Sequence, residues 1–501
     1  MADNKSSRIL KDLKIKKEGY WSGIEEKEVL ALFHSASKRV PAYKDFLRKN
    51  KINPDRINTL QDFKLVPSID KENYLHAYPH EKLFWNRSTM RPATIHATSG
   101  STGESNYFYR EYAFDLRRET IIENFFRNNK ATLKGPTLFI ITFGMGIWSA
   151  GTGIYTGVYL ATNRNNHPIS LISPGINKID TLKILRNLAP RYKQVIIAGY
   201  PPFVKDILDD AMYEGLDIKK MNPRFIFTGE AFTEEFRDYL IAKTGINNMY
   251  LDTMNTYGTS EFGPTAVETP VSILARRLAY KDKKIFKELF GDIVKTPTIA
   301  QYIPYFVNFE SENGELLITG DGPTPLIKYR SGDNGGILTH KQLNETLLNN
   351  GIDLEKESKE LGFSDHTWST PFVFVYERKN LAASLYGILI YPEFIKTALF
   401  DRRISQFLTG KFTMVTKYTN LKNQYLEINL ELKKGEKFKK QHEEIALRKI
   451  AEVLKHKSSE YRELFRNMKE KVYPKLLFWP YEYPEYFTPG SKQKWVKNDK
   501  I

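Results

Sequence analysis

Cysteine is absent from all 501 residues, which excludes disulfides, thiolate metal sites and cysteine nucleophiles. Long apolar runs are missing as well. No stretch approaches the ~18–20 uninterrupted apolar residues that a membrane-spanning helix needs, and Met1-Ala2-Asp3-Asn4-Lys5 leads into no apolar segment, so no secretory signal is read. Zinc-finger spacing and aromatic–basic repeats of the RNA-recognition type are absent, as are internal repeats and long low-complexity linkers. These absences give the expectation of a cytoplasmic protein that binds neither membrane nor nucleic acid.

What is present is ample core material. Hydrophobic residues make up 41% and aromatics 13%, which sets the chain apart from disordered proteins. Its length exceeds one ordinary core, so two or more domains are expected. Lys and Arg total 75 against 59 acidic residues, a net charge of +16. That balance suits a soluble basic surface or attraction of polyanions such as ATP, coenzyme A or an acidic carrier protein, and does not choose between them.

Residues 1–90 are mixed and charged, with a helical stretch over 25–38 and a second helix start at Ser68-Ile69-Asp70-Lys71-Glu72, capped by Ser68 or Asp70. From Pro92 the texture changes. Leu138–Ile141, Val195–Ala198 and Phe225–Phe227 read as buried strands, each followed by a glycine-containing turn: Thr142-Phe143-Gly144, Gly199-Tyr200-Pro201-Pro202 and Thr228-Gly229-Glu230. Helical segments lie between them. Strand, glycine turn and helix in repetition predict an α/β sheet whose strand ends carry a site. A small α+β unit of roughly 120 residues follows, with strands at 372–376, at 426–432, where Leu426, Ile428, Leu430 and Leu432 alternate, and at 472–478. The boundary falls near Arg378-Lys379-Asn380, giving domains of 1–376 and 377–501. No role is assigned to residues 265–305.

Five segments carry chemistry. Thr98-Ser99-Gly100-Ser101-Thr102-Gly103 offers hydroxyls and glycines that can wrap a phosphate, although the Walker G-x-x-x-x-G-K-[ST] spacing is absent and a plain surface loop is the alternative. Gly229-Glu230-Ala231 follows a strand, and Gly229 lets backbone approach a planar ring; an ordinary helix start is the alternative. Tyr257-Gly258-Thr259-Ser260-Glu261 places an aromatic near a carboxylate able to hold Mg²⁺ against phosphate oxygens, or forms a loop cap. Asp333, after Tyr329-Arg330-Ser331-Gly332, suits two vicinal hydroxyls or a surface pair with Arg330. Lys492, in Ser491-Lys492-Gln493-Lys494-Trp495-Val496, is a mobile positive charge for a phosphoryl transition state or part of a solvated tail.

In this order the five segments resemble the adenylate-forming ligases, specifically the phenylacetate–coenzyme A ligase branch, over the chain from about residue 90 onward. The resemblance implies a large N-terminal α/β adenylation domain with a small mobile α+β C-terminal domain. It implies that Thr98, Ser99, Gly100, Ser101, Thr102 and Gly103 grip phosphates and that Gly229, Glu230 and Ala231 line the nucleotide and acyl sites. Tyr257, Gly258 and Thr259 would meet the adenine, Glu261 would ligate magnesium and Asp333 would hold the ribose. Arg378, at the hinge, would join the nucleotide site, Asn380 is the hinge residue, and Lys492 takes the place of the catalytic lysine. Lys328 replaces the first arginine of the ribose motif, Glu104 follows the phosphate loop, the hinge acid is lost, and the family's cysteine-rich segment is missing.

ATP, Mg²⁺ and coenzyme A are the implied co-substrates. The implied reaction activates a carboxylic acid, with Phe143, Gly144, Met145, Trp148, Gly199, Tyr200 and Pro202 as an acid pocket suited to a planar aromatic ring. These seven are equally at home in an ordinary core. Transfer to coenzyme A, transfer to an amine or carrier protein, and nucleotide binding without turnover stand as the three readings. Self-acylation on cysteine is excluded by composition. A homodimer is an allowed assembly.

Overall fold

The computed structural model describes the chain apart from residues 1–4, 89–93, 98–106, 147–148, 230, 294–295, 379–382, 386–387, 419–423, 490–492, 494 and 498–501. Among the described residues the strands, in chain order, are β1 Thr94–Ala97, β2 Tyr107–Arg110, β3 Thr137–Thr142, β4 Ile169–Ile172, β5 Gln194–Gly199, β6 Pro223–Thr228, β7 Thr253–Thr259, β8 Gly263–Val267, β9 Thr298–Tyr302, β10 Val307–Glu312, β11 Glu315–Gly320, β12 Leu326–Leu338, β13 Phe372–Arg378, β14 Ala383–Leu385, β15 Ile388–Ile390, β16 Leu408–Tyr418, β17 Gln424–Leu432, β18 Lys475–Trp479 and β19 Val496–Lys497.

Eleven of these form one sheet in the order β10-β11-β12-β13-β9-β8-β7-β6-β5-β3-β4. The segment from β4 to β7 is parallel; from β7 to β10 every pair is antiparallel. The parallel strands read as continuous apolar runs because helices cover both faces. Phe139, Ile141, Ile196, Ala198 and Ile226 pack with Ile122 and Phe126 of helix Tyr112–Arg127 on one side. Leu138, Ile140, Val195, Ile197, Phe225 and Phe227 face helices Lys178–Asn187, Pro201–Tyr213 and Glu234–Thr244 on the other. Each such fully buried side chain contributes about 1.5–3 kcal/mol.

Residues 265–305 belong to this body. They form β8, helix Pro270–Lys281, helix Lys283–Phe290 and β9. Thr269 caps the first helix with a reciprocal capping box to Ser272. Val271, Leu274 and Leu289 join a core with Leu343 and Phe372.

The small unit is a separate sheet, β18-β17-β16-β19; the strand expected in it at 372–376 instead forms β13 of the large sheet, paired with β12 and β9. Its core is built on Met414, Ile428 and Leu430 against Ile450 and Leu454 of helix Lys440–Lys457. The final hydrophobic segment forms β18 at Lys475–Trp479, slightly later than its sequence pattern suggests, because Leu476 and Phe478 pair with Ile428 and Leu430.

Candidate functional site

The carboxyl ends of the parallel strands lie side by side. Thr142 is level with Gly199, Gly199 with Phe227, and Thr228 with Thr256. The three glycine-containing turns and Tyr257 therefore share one edge, where open α/β sheets place ligands. Thr228 Oγ1 donates to Thr256 O at 3.1 Å, tying β6 to β7. Gly229 has φ +81, and a Cβ there would lie 2.8 Å from Cε1 of Tyr200. Tyr200 in turn meets Phe143 edge-on, with ring centroids 4.9 Å apart. Phe143 and Gly199 are buried, Gly144, Met145 and Tyr200 half-buried, and Ala231 exposed.

A buried ionic network stiffens β7 from behind. Arg237 pairs with Glu234 at 3.0 Å and Glu268 at 2.8 Å, and Arg276 with Glu234 at 2.9 Å. Burial alone would raise Glu234, but Arg237 and Arg276 overcome it and hold the carboxyl at about 2. Glu268 also accepts from the Asn255 backbone N–H at 2.9 Å, two residues before Tyr257.

Two carboxylates stand out. Asp333, on β12, is buried and accepts from the Tyr257 hydroxyl at 2.7 Å. Its backbone faces Arg378 at the end of β13. Glu261, in the β7–β8 turn, is also buried; it accepts from the Tyr329 hydroxyl at 3.1 Å and lies 3.6 Å from Lys71 Nζ. The tight return of β8 along β7 depends on Gly258, where a Cβ would sit 2.4 Å from Gly263 O. Arg330 does not pair with Asp333: it reaches Glu312 and, at 3.0 Å, Glu315.

Neither Lys71 nor the Tyr329 hydroxyl is singled out by the sequence. Lys71 arrives because the preceding segment docks across β12. Ile69 N donates to Lys328 O at 3.1 Å, and Arg330 N donates to Ile69 O at 2.8 Å. Lys328 itself is buried, with φ +49, and donates to Lys64 O at 3.1 Å. Asp70, rather than Ser68, caps the turn that begins at Lys71. That capping box is the one local signal near Lys71.

Thr98, Ser99, Gly100, Ser101, Thr102, Gly103, Trp148, Glu230, Asn380 and Lys492 lie outside the described residues, as do the side chains of Pro202 and Arg378. The strands flanking the hydroxyl-rich segment pair as a hairpin, with Thr94 opposite Arg110. Next to Lys492, Gln493 donates to Phe412 O at 3.0 Å and Thr413 Oγ1 at 3.1 Å. Trp495 packs on Phe412, with ring centroids 4.8 Å apart.

The small sheet rests on the large body through charge. Lys411 of β16 contacts Asp206 of helix Pro201–Tyr213 and lies 3.5 Å from Glu431 of β17. Lys178 pairs with Asp210 at 3.0 Å and contacts Glu482 and the Tyr481 hydroxyl. The Glu482 N–H donates to Glu431 at 2.8 Å. Burial, then the neighbouring Asp206, pushes Glu431 up to about 7 against the pull of Lys411. Burial also raises Asp206. Beside this contact, Ala231, Pro201, Lys205, Gly410, Lys411 and Trp495 line a cleft between the two units. Among the described residues no helix is long and apolar enough to cross a membrane.

No family model matches the chain. Over 316 residues it is 21% identical to a phenylacetate-coenzyme A ligase of Thermus thermophilus, covering 62% of this chain and 64% of that one. Over 283 residues it is 23% identical to an indoleacetate–lysine synthetase of Pseudomonas savastanoi, covering 55% and 60%. The match thus spans less than two thirds of either relative's length. Among solved structures it is similar to a 2-hydroxyisobutyryl-CoA ligase in the postadenylation state with R3-HIB-AMP, with a TM-score of 0.65 at 13% identity over 98% of this chain and 92% of that one. It is also similar to an acyl acid amido synthetase in complex with 2,4-DB, with a TM-score of 0.60 at 12% identity over 99% and 94%.

Proposed function

Because the chain has the fold of the adenylate-forming ligase superfamily and is similar in sequence to the two relatives above, we propose that it activates a carboxylic acid with ATP and passes the acyl group to coenzyme A. The observation that carries this reading is a pair of buried carboxylates, each oriented by a tyrosine hydroxyl from another strand: Asp333 by Tyr257 and Glu261 by Tyr329. The two oxygens of a carboxylate suit the vicinal hydroxyls of a ribose, and Tyr257 sets how Asp333 presents them. The bare backbone at Gly229 lets the adenine approach the strand edge.

Glu261 fits magnesium. Mg²⁺ takes one or two carboxylates plus substrate oxygens, and among the described residues no group of three or more His, Asp or Glu is arranged to hold a metal. The Lys71 ammonium, 3.6 Å from Glu261 and itself half-exposed, would have to move off the carboxylate for the ion to bind there. When bound there, magnesium would neutralise charge on the phosphate oxygens.

In the first step a carboxylate oxygen of the acid attacks the α-phosphorus, the bond to the bridging oxygen breaks, and pyrophosphate leaves. Lys492, beside the anchored Gln493, would bring positive charge to the developing phosphoryl oxygens. Positioning and preorganised charge supply most of the acceleration. In the second step the acceptor sulfur bonds the acyl carbon, AMP departs with the carbon–oxygen electron pair, and the thiol gives up its proton. The small unit would turn about residues 378–380 between the steps. Tyr200, Phe143 and Met145 favour a planar aromatic acid.

A second reading, transfer to an amine, draws on the names of the lysine synthetase and the amido synthetase. The test is ATP–pyrophosphate exchange across a panel of aromatic and aliphatic acids, followed by mass spectrometry with coenzyme A, lysine or other amino acids as acceptor. An acyl–coenzyme A product lost in Lys492→Ala supports the first reading. An amide formed without coenzyme A supports the second. No exchange with any acid leaves nucleotide binding without turnover.

A further inference from the structure

Arg110 closes β2, the second strand of the hairpin whose connection carries the hydroxyl-rich segment 98–103. Its side chain reaches from the hairpin to the β7–β8 turn. Nη1 donates to Glu261 O at 3.1 Å and to Tyr109 O at 3.1 Å, and Nη2 donates to Ser260 O. Arg117, about one and a half turns into helix Tyr112–Arg127, donates from Nη1 to Phe262 O at 2.8 Å and from Nη2 to Phe306 O at 2.9 Å. Three successive carbonyls, Ser260, Glu261 and Phe262, therefore each accept from a guanidinium. The ring of Phe114 lies between the two arginines, 4.6 Å from Arg110 and 5.1 Å from Arg117.

Both arginines are 3% exposed. Among the described residues neither has an ion pair, the nearest carboxylate influences being Glu261 on Arg110 and Asp321 on Arg117. Burial lowers both to about 9, still well above neutrality, so both stay charged. A buried cation without a carboxylate is expensive unless its donors are met. Here five of the ten N–H donors meet backbone carbonyls while both Nε groups are buried without a partner, and three of the carbonyls so held are consecutive in the Glu261 turn.

We propose that Arg110 and Arg117 are positioning residues that fix the Glu261 turn, Arg110 from the end of β2 and Arg117 from the helix that follows it, so that the Glu261 carboxylate is held ready for a magnesium-bound triphosphate. This rests on the reading of Glu261 as the magnesium ligand. It adds residues whose recorded partners are backbone carbonyls and that no motif of the chain marks.

Calorimetric titration of ATP, in excess Mg²⁺ and in EDTA, tests the proposal without turnover. The wild-type chain should bind ATP more tightly with magnesium, and Glu261→Gln should lose that gain. Arg110→Lys keeps the charge but not the two-pronged donation. It should cut the magnesium-dependent gain about tenfold, the scale of a lost outer-shell partner, while binding in EDTA stays within about twofold. Arg117→Lys should act in the same direction and keeps the test readable if the first variant does not fold. Arg224→Lys is the structural control: it is also buried and donates to Phe125 O and Leu251 O, but at the far end of β6. It should lower the melting temperature and leave the magnesium-dependent gain intact. Full retention of the gain in both Arg110→Lys and Arg117→Lys, or an equal loss in Arg224→Lys, overturns the proposal. A wild-type chain that binds ATP equally with and without magnesium overturns the Glu261 reading itself, and the proposal with it.

Discussion

Glu431→Gln should abolish most of the pH dependence of docking between the small sheet and the large body. Glu431 is fully buried where β17 meets helix Pro201–Tyr213, next to Asp206 and Lys411, with the Glu482 N–H on one oxygen. Docked, it is pushed from the usual 4.5 up to about 7; swung into water, it would return toward 4.5. The docked form therefore holds the proton more tightly. Its advantage is complete below pH 4.5 and fades as pH rises through 7. The shift corresponds to roughly 3 kcal/mol, or about a hundredfold in the docking equilibrium. Glutamine mimics the protonated side chain at every pH. At pH 8 the variant should be docked by about that much more than the wild-type chain, with only the residual slope of the same sign that Asp206 contributes. The absence of cysteine allows a dye pair on two introduced cysteines, at exposed Lys220 of the large body and Glu452 of the small one. Transfer efficiency followed from pH 4.5 to 8 reads the equilibrium. A Glu431→Gln protein that keeps the full wild-type slope, or that opens at pH 8, refutes the reasoning.

Tyr257→Phe removes a hydrogen bond to the Asp333 carboxylate; about 1.5 kcal/mol, or roughly tenfold weaker AMP binding, is expected by calorimetry, and unchanged affinity would count against the ribose assignment. Tyr329→Phe leaves Glu261 without its hydroxyl partner and should raise the magnesium concentration needed for half-maximal ATP–pyrophosphate exchange by about tenfold, with the acid's KM nearly constant. Gly229→Ala places a Cβ at φ +81 against the Tyr200 ring and should lower stability by about 1–3 kcal/mol in a denaturant melt; a variant as stable as the wild-type chain would show that Tyr200 moves aside freely.

Much of the architecture is legible along the chain because hydrophobic periodicity is local. Leu138–Ile141 and Val195–Ala198 have to be apolar throughout, since alternate residues meet helices on opposite faces of a parallel sheet. The alternation of Leu426, Ile428, Leu430 and Leu432 follows from a strand with one face in the small core. Gly229 is readable as a close approach because it follows a strand directly and lacks a side chain, whereas the need for glycine at 258 appears only once β8 returns along β7 and places Gly263 O 2.4 Å from where a Cβ would sit. Arg330 next to Asp333 reads as a local pair, yet its partners, Glu312 and Glu315, are cross-strand neighbours that spacing along the chain does not reveal.

The residue types of the site, a hydroxyl-rich segment, two acids behind tyrosines and a terminal lysine, were determined by the sequence alone. Their partnerships were decided by the tertiary structure. Tyr257 meets Asp333 across 76 residues, Tyr329 meets Glu261 across 68, and Arg110 reaches the Glu261 carbonyl across 151. Lys71 comes to Glu261 only because Ile69 bridges β12. Lys411 and Asp206 become partners only where the small sheet packs against helix Pro201–Tyr213 of the large body. A side chain's periodicity records which face of its own element is buried, whereas the atom opposite it depends on register and packing between elements distant in the chain.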